Sequence, residues 1–154
     1  MDKSRFRFKT RIRVRNYEVD WQGIVHNANY LLYFEIGRIE YLKHLGVRID
    51  LNAVRKHSRV VLVRNEIDYK SPAFFDEVLD VYTRVSYIRN SSFGFEGIIE
   101  EPVKHRLVAT NVAVHVWLSP TSHAAIPVAS SFRKAVQKFE KSQILTARGG
   151  RKRP

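Results

Sequence analysis

The 154-residue sequence predicts an α+β domain in which a five-stranded antiparallel sheet wraps around one long central helix. Two observations carry this prediction. One long segment repeats apolar residues every three or four positions, and five other segments have the composition of strands, four of them with alternating residues and one, 59–69, opening with the apolar run Val60-Val61-Leu62-Val63. The last four of these strand-like segments follow one another with short links, which favours antiparallel pairing. A short C-terminal helix completes the domain, and the exposed edges of so small a sheet predict a homo-oligomer.

The first strand is predicted over residues 5–15, where apolar and basic residues alternate. The apolar members of this segment are Phe6, Phe8, Ile12 and Val14. A single-stranded nucleic-acid platform needs its stacking aromatics and its cations on one accessible face. Here the two-residue period sends them to opposite faces, so nucleic-acid binding through this strand and the basic C-terminal tail is the least favoured hypothesis.

The central helix is predicted over residues 28–45, with a broad apolar stripe formed by Leu31, Phe34, Tyr41, Leu42 and Leu45. Gly37 lies within the stripe and would let a neighbouring element approach closely. Gly46 is a natural stop after the helix. The helix is so apolar that we expect other elements to enclose it.

A loop with one helical turn is predicted over residues 47–58, followed by strands over 59–69, 77–88, 93–99 and 107–118. A final amphipathic helix is predicted to be capped by Ser130 or Ser131, with Phe132 and Phe139 facing inward. We assign residues 1–145 to a single domain and residues 146–154 to a basic, disordered tail.

Composition restricts the possible functions. The apolar content of 44% excludes a disordered chain, and the absence of cysteine excludes disulfides and thiolate metal sites. The histidines show no metal-ligand spacing, so no metal is expected. Without a signal peptide or a transmembrane-length apolar run, we expect a cytoplasmic protein. The net charge of +12 comes largely from the two ends of the chain, which is typical of a solvated surface.

A candidate active site lies at the start of the central helix. Asp20 and Gly23 precede a polar cluster of His26, Asn27 and Asn29. A helix N-terminus presents N–H groups without intrahelical partners and carries partial positive charge. It could polarise a carbonyl group while the nearby carboxylate does chemistry.

The pattern Asp20, Gly23, Ile24-Val25, Asn29-Tyr30, with the later turn Tyr69-Lys70-Ser71-Pro72-Ala73, resembles hotdog-fold acyl-CoA thioesterases of the 4-hydroxybenzoyl-CoA thioesterase type. The resemblance implies hydrolysis of acyl-CoA to free acid and CoA without a cofactor, by dimers or tetramers with active sites at the dimer interface. It also implies that Asp20 is the catalytic carboxylate, acting either as nucleophile or as general base. Amides between Val25 and Asn29 would then form the oxyanion hole.

Two departures from that family concern the pocket. Many members have a tyrosine four residues before the aspartate and a histidine seven after it, where this chain has Asn16 and Asn27. The substrate-binding candidates are Tyr17, Gly23, Val25, His26, Asn27, Asn29 and Tyr30. The candidates for the CoA phosphates, which need exposed cations at a pocket mouth, are Lys70, Arg84 and Arg89.

Other catalytic classes lack their motifs. The chain has neither a Gly-x-Ser-x-Gly elbow nor a cysteine nucleophile, and it has no Walker or dinucleotide glycine pattern. The remaining alternative is a non-catalytic module that binds acyl-CoA or acyl-carrier protein, because a fold does not fix its chemistry.

Overall fold

The computed structural model describes residues 1–47, 59–141 and 144–146. Its helices and longer strands, in chain order, are β1 Phe8–Arg13, α1 Asn27–His44, β2 Arg59–Tyr69, β3 Val78–Ile88, β4 Ser92–Glu101, β5 Arg106–Leu118 and α2 Ser130–Glu140. A two-residue strand, β6 Leu145–Thr146, follows, and short 3₁₀ helices span Lys3–Arg5 and Asn16–Glu18.

The predicted α+β arrangement is confirmed. The five long strands are antiparallel in the order β1-β3-β4-β5-β2, so β1 and β2 form the two edges of this path. In the chain, β1 precedes α1 and β2 follows it. β6 was not predicted; it pairs with β3 in parallel through Thr146 and Ile88. Residues 147–154, which make up nearly all of the predicted tail, lie outside the described part of the chain, as does most of the predicted 47–58 loop.

Gly37 sets the distance between α1 and the sheet. A Cβ atom at this position would lie 2.6 Å from Thr83 Oγ1 and 2.8 Å from Val81 Cγ1. Real Cβ atoms do not approach other atoms so closely, and both neighbours are β-branched residues on β3 with stiff side chains. The predicted close approach at Gly37 is thus confirmed.

The core divides into two clusters along α1. The cluster around Tyr30, Tyr33 and Phe34 lies towards the start of the helix. The cluster around Tyr41 and Phe132 lies towards its end and includes the inner surface of α2. The candidate active site belongs to the first end.

The first strand is shorter than predicted, because the chain turns before Phe8 and crosses the outer face of the sheet, the face away from α1. Phe6 packs against Tyr82 on that face, with ring centroids 6.4 Å apart, and not on the inner side. Lys3 Nζ reaches Glu100 of β4 at 2.9 Å. The outer face is therefore partly covered by the N-terminal residues.

Basic residues of β1 are more than a solvated surface. Lys9 Nζ lies 2.6 Å and Arg11 Nε 2.8 Å from the carboxylate of Asp80, which is buried. Burial alone would raise the pKa of Asp80, but its hydrogen bonds to both cations lower it below the ordinary value.

The capping prediction for α2 is wrong. Ala129 occupies the N-cap position, Ser130 is the first helical residue, and no side chain caps the helix. Phe132 is buried as predicted, against Phe93 and Trp117.

Candidate active site

Asp20 lies at the start of a tight turn that ends at Ile24. Its amide donates to the carbonyl of Ile24 at 2.9 Å, and its own carbonyl accepts from Gly23 N at 3.0 Å. Gly23 has φ of +77°, a left-handed conformation that favours glycine. The Oδ1 atom of Asp20 accepts the amide of Gln22 at 2.8 Å, so the turn holds one carboxylate oxygen in place.

The start of α1 has most of its amides already engaged. Val25 N donates to Ala73 O and His26 N to Glu18 O, while Asn29 N donates to His26 O. His26 is the N-cap residue, and its Nδ1 accepts Ala28 N at 3.2 Å, which requires an unprotonated Nδ1. Within the described residues, the amide of Asn27 alone has no hydrogen bond among residues 25–29.

A cleft of about 620 Å³ opens beside this turn. Its lining comes from three segments, residues 20–22, residues 24–27 with Tyr30, and residues 69–72. Tyr69 stands edge-on to Tyr30 at 5.3 Å between ring centroids, and its hydroxyl donates to the carbonyl of Asn27 at 3.2 Å. The link between β2 and β3 is thereby tied to the start of α1.

Glu18 connects the turn to the helix and was not predicted as a site residue. Its Oε2 accepts the hydroxyl of Tyr33 at 2.8 Å and the amide of Arg15 at 2.7 Å. Its carbonyl accepts His26 N at 2.9 Å and Asn29 Nδ2 at 2.7 Å. Glu18 as a whole is only 7% exposed, and nothing in the local sequence distinguishes it from a surface glutamate.

The predicted residues fall into two groups. Asp20, Val25, His26, Asn27, Tyr30 and Lys70 line the cleft, and Gly23 shapes the turn. Asn29 does not line it, because its side chain is used to hold Glu18. Tyr17 also lies outside the lining; it is 73% exposed, and its hydroxyl accepts from Arg15.

The prediction that Arg84 supplies an exposed cation is wrong. This side chain is fully buried on the outer face, with Nη1 3.6 Å from a carboxylate oxygen of Glu96 and the guanidinium 6.0 Å from the Phe6 ring. Burial lowers the pKa of Arg84 below the ordinary value. Arg89 is exposed but follows the far end of β3, where its carbonyl accepts from Arg133 of α2.

The described residues were compared with the requirements of a metal site and of a membrane-spanning helix. In residues 1–47, 59–141 and 144–146, no cluster of three histidine or acidic side chains has an arrangement that could hold a metal ion. No helix in the same ranges has the length and apolar character needed to cross a membrane.

Comparison with known proteins places this geometry in a protein class. A model of the thioesterase-like superfamily matches residues 14–136. A thioesterase from Thermus thermophilus, solved in complex with coenzyme A and Zn, superposes with a TM-score of 0.74 at 27% identity, over 88% of this chain and 95% of that one. The architecture is that of a hotdog-fold thioesterase.

Sequence relatives agree. A protein of Aquifex aeolicus named "Putative esterase" is 38% identical over 93 residues, which are 60% of this chain and 71% of the relative. Acyl-CoA thioesterase YbgC of Haemophilus influenzae is 33% identical over 89 residues, 58% of this chain and 65% of that protein. The chain belongs to the thioesterase-like superfamily.

Proposed function

We propose that the protein hydrolyses acyl-CoA thioesters to free acid and CoA in the cleft at the start of α1, with Asp20 as the reacting carboxylate. The observation that carries this proposal is that Asp20 and Asn27, whose amide has no partner among the described residues, line the same cleft. The Haemophilus relative is named an acyl-CoA thioesterase, and the Thermus structure contains coenzyme A.

The oxyanion hole is assigned to the amide of Asn27. When the thioester carbonyl carbon becomes tetrahedral, its oxygen acquires negative charge, and a well-placed N–H stabilises it by about 3 kcal/mol. The partial positive charge of the α1 N-terminus acts in the same direction. The other amides from Val25 to Asn29 already have acceptors and contribute through the dipole.

Asp20 can act in two ways. Its carboxylate can attack the carbonyl carbon and expel the CoA thiolate, which leaves a mixed anhydride that water hydrolyses. Alternatively, it removes a proton from a water molecule that attacks the thioester directly. Label in the Asp20 carboxylate after a single turnover in ¹⁸O-labelled water would identify the anhydride route, because water that attacks the anhydride at the Asp20 carbonyl carbon leaves its oxygen on the enzyme.

The coenzyme and the assembly complete the proposal. Lys70 lines the cleft and is the proposed contact for a CoA phosphate; Arg89 does not line it and is the weaker candidate. We further propose a homodimer formed through β2, an eleven-residue edge strand that pairs with β5 on one side only within the described residues. Its exposed apolar side chains Val60, Leu62 and Val63 favour pairing with a second copy.

The test is the release of free thiol from a panel of short, long and aromatic acyl-CoA esters. Asp20→Asn is expected to lose at least about a hundredfold in kcat/KM, the scale of a positioned acid-base group or nucleophile. Asp76→Asn is the matched control, since Asp76 is an exposed carboxylate outside the cleft, and its φ of 64° suits asparagine. Full activity of Asp20→Asn would overturn the site, and acyl-CoA binding without turnover would favour the binding-module alternative.

A further inference from the structure

The side chain of Glu18 connects the segment before the Asp20 turn with the helix that follows the turn. The Oε2 atom joins Arg15 N to the hydroxyl of Tyr33, which lies two turns into α1. Burial and the contact with Glu18 raise the pKa of Tyr33, so the phenol stays protonated and serves as a donor. The carboxylate thus fixes the segment before Asp20 to the body of the helix.

The backbone of the same residue fixes the other side of the turn. Glu18 O accepts from His26 N and Asn29 Nδ2, and the next residue, Val19, forms a β-bridge with Val25. The turn that carries Asp20 is therefore closed at its base by residues 18 and 26. Because Asn27 follows His26 directly, this closure restricts the position of the Asn27 amide relative to the turn that carries Asp20.

Catalysis is sensitive to that separation. A displacement of about 1 Å between reacting groups can cost about a hundredfold in rate. Glu18 does not line the cleft, so its effect on substrate would pass through Asp20 and Asn27.

We propose that Glu18 is a positioning residue that sets the separation between the Asp20 carboxylate and the Asn27 amide, a role that rests on the function proposed above. The reach of its side chain matters more than its charge. A single oxygen, Oε2, takes both hydrogen bonds, and a glutamine amide oxygen could take both as well. The nearest cation, the Arg15 guanidinium, is 3.7 Å away and largely exposed, where solvent screens the attraction.

Three variants separate reach from charge. Glu18→Gln keeps the reach and removes the charge, Glu18→Asp keeps the charge and shortens the reach, and Glu18→Ala removes both. We expect Glu18→Gln to retain kcat within about threefold and Glu18→Asp and Glu18→Ala to lose about tenfold or more, with KM nearly unchanged because the cleft lining is intact. Retention of kcat in Glu18→Asp with loss in Glu18→Gln would overturn the proposal, as would wild-type kcat in all three.

Tyr33→Phe supplies a second test if Glu18→Ala does not fold. It removes the hydroxyl that holds Glu18 and is expected to lower kcat by about threefold or more. Tyr41→Phe is the matched control, since Tyr41 is on the same helix, is equally buried and also donates to a glutamate, Glu140, away from the cleft. Equal kcat values for the two phenylalanine variants would contradict the positioning role.

Amide hydrogen exchange keeps this proposal distinct from the proposed function. Faster exchange over residues 15–26 in Glu18→Asp, with exchange of α2 unchanged, reports the loss of anchoring without any assay of activity. If the wild-type protein released no thiol from any acyl-CoA, the function would fail, yet the exchange result would still stand. If exchange rose over residues 15–26 while kcat stayed at the wild-type value, the positioning role would fail and the function would stand.

Discussion

The two ends of α1 contain the same pair of side chains in different surroundings. Near the start of the helix, Tyr33 donates to Glu18 at 2.8 Å; near its end, Tyr41 donates to Glu140 at 2.6 Å. Both tyrosines are buried in the core. The first pair holds the turn of the candidate active site, and the second fastens α2 to the helix and the sheet.

The carboxylates differ in their other partners. Glu18 has the Arg15 guanidinium nearby, at the surface of the molecule. Glu140 is fully buried, and its Oε1 also accepts Val85 N at 3.2 Å. The pairing of β3 with β1 ends at Thr83, so this amide lies beyond the end of β1. Its Oε2 has no hydrogen-bond partner among the described residues, and burial raises the pKa of Glu140. The same tyrosine–glutamate contact thus holds the turn of a candidate reactive site at one end of α1 and anchors a second helix in the core at the other.

Removal of the distal carboxylate should have the largest effect on stability. Glu140→Ala leaves the hydroxyl of Tyr41 and the amide of Val85 buried without the acceptor they share. We expect this to lower the free energy of unfolding by about 4 kcal/mol. Urea denaturation measures this loss, and kcat of the folded fraction should be unchanged. Glu18→Ala should cost less, because water can reach the surface turn at Arg15. An equal or larger loss in Glu18→Ala would show that the two ends do not differ in this way.

Removal of either tyrosine hydroxyl should lower stability by less than removal of Glu140, and the two variants should differ in their effect on kcat. Tyr41→Phe should lower the free energy of unfolding by about 2 kcal/mol, since it withdraws a donor from a buried carboxylate that has few others. Tyr33→Phe should cost about 1 kcal/mol, because Glu18 keeps the amide of Arg15. Urea denaturation and kcat should be measured on both variants. The free energy of unfolding should fall more in Tyr41→Phe, and kcat should fall only in Tyr33→Phe. The reverse assignment of the two effects would contradict the division between anchor and site.

The pH dependence of stability should give the smallest effect. The pKa of Glu140 in the folded protein is raised above its ordinary value of 4.5, so its stabilising contribution is complete below pH 4.5 and is lost as the pH rises through the folded value. Glu140→Gln keeps an acceptor oxygen and does not titrate. The stability of the wild type relative to this variant should therefore fall as the pH rises from 4.5 towards neutrality. Parallel stability curves for the two proteins would contradict the raised pKa.

Much of the fold was predictable, because it depends on periods that can be read along the chain. The predicted start and end of α1 each lie one residue from the observed ones, and β2 has the predicted bounds. The errors involve residues distant in sequence. Arg84 occupies a position that alternation assigns to the outer face, and it is buried there because Phe6 and the N-terminal residues return across the sheet.

The candidate site was predictable in part. Asp20 and the start of α1 could be singled out because they are close in sequence, and the cleft brings Lys70 to them as the motif suggested. The catalytic role of Asp20 stays a prediction. Glu18 could not be recognised, since its importance comes from Tyr33, fifteen residues later in the chain, and becomes visible only when the helix is packed.

The strand order also bears on the sequence of events in folding. β3, β4 and β5 follow one another through short turns, whereas β1 pairs with β3 and β2 with β5 across long stretches of chain. Local pairings form sooner because less chain entropy is lost in closing them. The cleft is built from the segments next to β1 and β2, so we expect it to close after the central hairpins have formed. On this expectation, a partly folded chain would have most of its sheet paired before Asp20 and Asn27 come together in the cleft.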